Sequence, residues 1–81
     1  MVGGKIIEVH RYRVDLLRVW CMDKEGDECA IFIHPPTDEM PQVGDDMWWQ
    51  GQTALWTPKD RRFIDRHLEK VAYSFDPREQ P

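Results

Sequence analysis

Asparagine is absent from the 81 residues, so N-linked glycosylation is excluded. Long apolar runs are absent too: the stretch Ala30 to Ile33 amounts to one short strand, far below the length needed to cross a bilayer. Cysteine occurs twice, at Cys21 and Cys29, with no Cys-x-x-Cys spacing, so neither a zinc knuckle nor a dithiol redox motif is present. The histidines, His10, His34 and His67, do not pair with one another or with cysteine at metal-ligand spacing. Glycine-rich phosphate loops, nucleophile elbows and Ser/His/Asp patterns are all missing. These absences predict a protein that is not an enzyme and carries no metal and no cofactor.

What is present fits one compact domain. The chain is 41% hydrophobic and 32% charged, with a net charge of −4. Residues 1–22 hold four basic and two acidic side chains, residues 23–46 one basic and eight acidic, and residues 47–81 six basic and five acidic. An acidic middle argues against binding nucleic acid over the whole surface, while leaving room for a local basic face. The first residues, Met1-Val2-Gly3-Gly4-Lys5, lack the apolar segment of a secretion signal, so a cytoplasmic, non-membrane protein is expected.

Alternation and turn chemistry predict short strands. Lys5 to Val14 reads as a first strand, a turn follows at Val14-Asp15-Leu16, and Leu16 to Met22 reads as a second. Lys24-Glu25-Gly26 fits a three-residue hairpin loop with its glycine in the left-handed region. That loop sets Cys21 opposite Cys29, Val19 opposite Ile31 and Leu17 opposite Ile33, all on one apolar face. Glu28 to His34 is the third strand, stopped by Pro35-Pro36. Asp46 to Gln50 is the fourth, with Met47 and Trp49 on one face and Trp48 and Gln50 on the other. Gly51 marks a bulge or bend, and Gln52 to Thr57 continues or restarts the strand before Pro58.

The C-terminal part supports two readings. Thr57-Pro58 has the form of a helix start, and Phe63, Ile64, His67, Leu68, Val71, Ala72 and Phe75 recur at helical spacing. Against this, Val71, Tyr73 and Phe75 alternate, and the sheet needs a closing strand, which favours a strand at about Leu68 to Phe75. The predicted fold is therefore mainly β: a small five-stranded barrel, OB-like or SH3-like, over residues 1–75 with a flexible tail at 76–81. A curved antiparallel sheet covered by one C-terminal helix is the alternative.

Trp48-Trp49-Gln50-Gly51, then Leu55-Trp56-Thr57-Pro58 and Ala72-Tyr73-Ser74, resemble small uncharacterised proteins of bacteriophages and prophages. The resemblance spans about the last half of the chain. It implies a bacterial host cytoplasm and an accessory role, and brings no activity with it.

Candidate binding residues follow from the faces. Opposite the apolar face of the hairpin stand Arg18, Trp20 and Phe32, a guanidinium among aromatics and so a stacking platform for single-stranded nucleic acid, with Arg11 and Arg13 flanking it. The competing reading packs Trp20 and Phe32 as a second core and lets Arg18 snorkel to water. Trp48, on the face away from Trp49, is the best anchor for a protein partner, and Trp56 is a further candidate. Cys21 and Cys29 are expected to be free, buried thiols, and His34 to satisfy a backbone group at its strand end. Asp23, Glu25 and Asp27 are spaced like part of a calcium loop but lack its other ligands, so a solvated hairpin tip is expected. The acidic 23–46 segment is either a solvated surface or a mimic of a nucleic-acid backbone presented to a basic protein. Together these readings predict an interaction module for a protein partner, monomeric or homodimeric, with single-stranded nucleic-acid binding as the alternative.

Overall fold

A computed structural model describes residues 2–36, 38–59 and 66–74. The described residues form β1 (Val2–Arg13), β2 (Leu16–Asp23), β3 (Glu28–Ile33), β4 (Asp46–Gln50), β5 (Thr53–Thr57) and β6 (Arg66–Ser74). All neighbours are antiparallel, and the order β1-β2-β3-β6-β5-β4 closes because β1 pairs with both β2 and β4. Two three-stranded meanders, β1-β2-β3 and β4-β5-β6, are thus joined along both edges. The expected mainly β class holds, with six strands rather than five. The reason is local: Gln50 pairs with Thr53 across Gly51-Gln52, a two-residue turn with φ +56° at Gly51, so the Trp48–Trp56 stretch folds back as a hairpin. No helix covers the sheet among the described residues; residues 60–65 and the expected tail at 76–81 lie outside them. Nor is any helix there long and apolar enough to cross a membrane.

The β2–β3 hairpin has the expected register, Leu17 with Ile33, Val19 with Ile31 and Cys21 with Cys29. Its loop closes through Asp23 N–H donating to Asp27 O at 2.9 Å and Gly26 N–H donating to Asp23 O at 3.1 Å, with φ +88° at Gly26. That left-handed residue sets the register that keeps Leu17, Val19, Cys21, Cys29, Ile31 and Ile33 together on the inner face.

Closure is strongly staggered. Partners run from Arg11 through Leu17 and Ile33 to Lys70, whose N–H donates to Gln52 O at 2.9 Å, beyond the end of β4. β4 in turn meets β1 at its very start, Val2 with Trp49. One circuit therefore climbs most of the length of β1, which tilts the strands and leaves an interior that side chains can fill. Trp56 and Met47 are fully buried and Trp49 is 3% exposed, beside Ile6, Leu17, Val19, Ile31 and Ile33. Burying one tryptophan removes on the order of 200 Å² from water, an upper figure of about 5 kcal/mol.

One buried charge fastens the top of the barrel. Asp45, 4% exposed, accepts from Gln42 N–H and Trp56 Nε1–H on Oδ2, both at 2.9 Å, and from Lys59 N–H on Oδ1 at 2.8 Å. Its own carbonyl accepts from Ile6 N–H at 2.9 Å, while Gly44 N–H donates back to Ile6 O at 2.8 Å. Asp45→Ala leaves these donors without the carboxylate and is expected to cost about 3 kcal/mol, with Asp45→Asn costing less, measured as a lowered urea midpoint.

Cys21 and Cys29 are free and buried. Burial, reinforced by the neighbouring Cys29, pushes the Cys21 thiol far up, and burial followed by the Asp23 charge raises Cys29 to about 11. Both thiols therefore stay protonated in the fold while unfolded thiols ionise near pH 8.5. Their contribution to stability is complete below pH ~8.5 and is lost on raising the pH, by up to about 1.4 kcal/mol per unit per thiol. Urea unfolding at pH 8 to 10.5 should show this fall, and Cys29→Ala should reduce its slope by about half, because Cys21 remains.

Candidate binding surface

The outer face of β1 and β2 is built in rows, because alternate side chains of β2 leave the core. Leu17, Val19 and Cys21 point inward; Arg18, Trp20 and Met22 point out. Across the sheet Arg18 lies between His10 and Phe32, Trp20 between Glu8 and Ala30, and Met22 between Lys5 and Glu28. On the other edge of β1, Lys5 pairs with Asp46 and Gly3 with Trp48. One surface therefore runs from Trp48 past Met22 to Trp20, Arg18 and Phe32.

At the upper part of this surface the guanidinium of Arg18 lies 5.1 Å from the Trp20 ring centroid, and Tyr12 meets Phe32 edge-on with centroids 5.7 Å apart. Arg18, Trp20 and Phe32 are each half-buried. Ala30 is fully buried although its register with Trp20 places it in the outer row. Arg18 Nε and Trp20 Nε1 are both screened from solvent without a hydrogen-bond partner. The three residues thus form a packed outer layer, with the Arg18 guanidinium folded onto its own neighbour. Tyr12, 56% exposed, was not singled out by the sequence reading; its alternation with His10 on the first strand was the available signal.

The remaining expected site residues lie elsewhere. Arg11 pairs with inward Leu17, and its guanidinium donates to Val14 O at 3.0 Å and to Met40 Sδ at 3.9 Å, at the barrel mouth. Arg13 follows a register shift and sits 3.9 Å from Asp15 at the exposed hairpin end. Trp56 is in the core, on Asp45, with the Arg66 guanidinium 5.8 Å from its ring. His34 Nδ1 lies 3.2 Å from Asp15 O, the backbone role expected of it. Asp23, Glu25 and Asp27 converge within 4.8 Å at the hairpin tip, where Asp23 Oδ1 accepts from the N–H groups of Glu25 and Asp27.

Trp48 is different in kind. It is half-buried on the outside of β4, and its ring lies against the backbone of Gly3. A Cβ on Gly3 would fall on that ring, and one on Gly4 would meet the Met22 carbonyl. These glycines continue β1 into Val2–Gly4, three residues before the strand start that the sequence suggested, because the closing pairing with β4 needs them there. Beside the ring is a cleft of about 320 Å³ lined by Gly4, Lys5, Met22, Asp23, Lys24, Asp46 and Trp48. Its walls are mainly apolar. Lys5 Nζ and Asp46 Oδ1, 2.8 Å apart on exposed side chains, form a rim pair worth under about 1 kcal/mol. Lys24 Nζ stands 5.7 Å from the Trp48 centroid.

No protein-family model, curated protein or solved structure matches this chain.

Gly3→Ala is expected to displace the Trp48 ring and to lower stability by about 1–3 kcal/mol, the usual cost of overpacking. In protein labelled with 5-fluorotryptophan, the Trp48 resonance should move while those of Trp49 and Trp56 stay in place.

Proposed function

We propose that the protein is a non-catalytic interaction module that engages a protein partner, in a phage-type accessory role within a bacterial cytoplasm. The observation that carries this reading is the Trp48 cleft. A tryptophan seated against glycine backbone, an exposed Met22 beside it and a charged rim have the make-up of a pocket for one anchoring side chain. At about 320 Å³ the cleft is at the lower end of ligand sites, suited to a side chain rather than to a large ligand. On this reading the small barrel serves as OB-like and SH3-like barrels do, as a rigid frame with its contact residues outside.

Single-stranded nucleic acid is the second reading, favoured by the adjacency of Arg18, Phe32 and Tyr12. It is weakened by the packing of Arg18 on Trp20 and by the diversion of Arg11 to Met40.

Fluorotryptophan resonances separate the two. Peptides selected for binding from a random library should shift Trp48 and lose about tenfold or more in affinity in Trp48→Ala, as a hot-spot residue does. Oligothymidylate that shifts Trp20 instead, with affinity falling steeply as salt rises, would favour the second reading. Failure of every selected peptide to move Trp48 would overturn the first.

A further inference from the structure

The face of Trp48 is already occupied by a cation from the same chain. Lys24 leaves the tip of the β2–β3 hairpin, flanked in sequence by Asp23 and Glu25, and sets its ammonium over the ring. Among the described residues it makes no ion pair with these carboxylates or with Asp27. A second hollow, of about 300 Å³ and lined by Val2, Gly3, Asp23, Lys24 and Glu25, adjoins the first and shares Asp23 and Lys24 with it. Lys24 therefore stands as a strut within one trough. Without its charge, the groups left around the ring are Lys5 and Asp46, which neutralise each other, and the unbalanced Asp23 and Glu25. The ring and its surroundings are suited to a positive charge, and the chain's own lysine fills the seat.

The geometry points to the Trp48 cleft as a receptor for a basic side chain, above all arginine, of a protein partner, which enters by displacing Lys24 from the ring. This rests on the interaction-module reading and names the chemistry of the partner. Tryptophan offers a cation the strongest ring face. An arginine is planar and weakly hydrated, and can stack on the ring while its edge donates to Asp23 Oδ2, the oxygen not engaged by the hairpin-tip N–H groups, a combination an ammonium cannot match. The displaced Lys24 has Glu25 and Asp27 beside it to take up its charge. The surrounding acidic segment, eight acidic residues to one basic over 23–46, draws a basic partner and repels an acidic one.

The test uses the full chain with fluorotryptophan labels and blocked Gly-X-Gly-X-Gly peptides in which X is Arg, Lys, Leu or Glu. The arginine peptide should shift Trp48 without moving Trp49 or Trp56, bind more tightly than the lysine peptide, and weaken as salt rises. At saturation the Lys24 side-chain methylene protons should lose their ring-current shift, which reports displacement directly. Lys24→Ala, a change at an exposed position, should raise affinity for the arginine peptide about threefold or more. Lys24 protons that keep their ring shift at saturation, or an unchanged affinity in Lys24→Ala, would overturn the proposal. A leucine peptide that binds Trp48 as well as the arginine peptide would also overturn it while leaving the interaction module standing. If no peptide moves Trp48, or only oligothymidylate does, both readings fall.

Discussion

A carboxylate with both oxygens hydrogen-bonded holds this barrel closed at one end. Asp45 joins the turn before β4, the indole of β5 and the chain just after β5, and its backbone joins all of these to Ile6 of β1. A buried charge is tolerable only when donors replace the water it has lost, and here two backbone N–H groups and one indole do so. The benefit is mutual. Trp56 fills the core completely because its one polar atom has an acceptor, whereas Trp49 is buried with its indole N–H unpartnered. Removing the carboxylate would therefore loosen three segments at once.

With the interior filled in this way, the outside of the barrel is free to carry binding groups, and it does so unevenly. The Arg18–Trp20–Phe32 layer is largely self-satisfied: the cation lies on the indole, and the outer-row alanine next to it is already buried. The Trp48 end is built by close approach, since the ring can lie on β1 only where β1 has no side chain. It also faces the acidic turn of the β2–β3 hairpin, from which Lys24 reaches back to the ring. The difference between a packed layer and an open cleft comes from one substitution of scale, glycine at the start of β1 against Glu8 and His10 further along it.

Much of the local structure was legible in the residues. The β2–β3 register followed from one glycine in a three-residue loop, and the inward turn of Trp49 with Met47 and outward turn of Trp48 followed from strand periodicity. The final strand, β6, was favoured by alternation over a helical pattern that the same residues also show. Gly51 was legible as a break, but not as a full reversal, because a bulge and a two-residue hairpin use the same residue. Gly3 and Gly4 were the hardest to read: glycine weakens a strand, so the strand pattern is legible only from Lys5 onward, and the partner that requires the glycines is distant in sequence.

The sequence by itself determined the class of fold, the pairing of the β2–β3 hairpin and the face on which each neighbouring tryptophan sits. These depend on a period of two and on turn geometry, both properties of a few consecutive residues. Only the tertiary structure decided that β1 pairs with β4, that Asp45 receives the Trp56 indole, and that Trp48 comes to lie on Gly3 beneath Lys24. The Asp45 bond arises when the β4–β5 hairpin forms, and the other contacts arise when the barrel closes. Nothing in a strand's own pattern says which distant edge it will meet, so the cleft exists only once the edges have met.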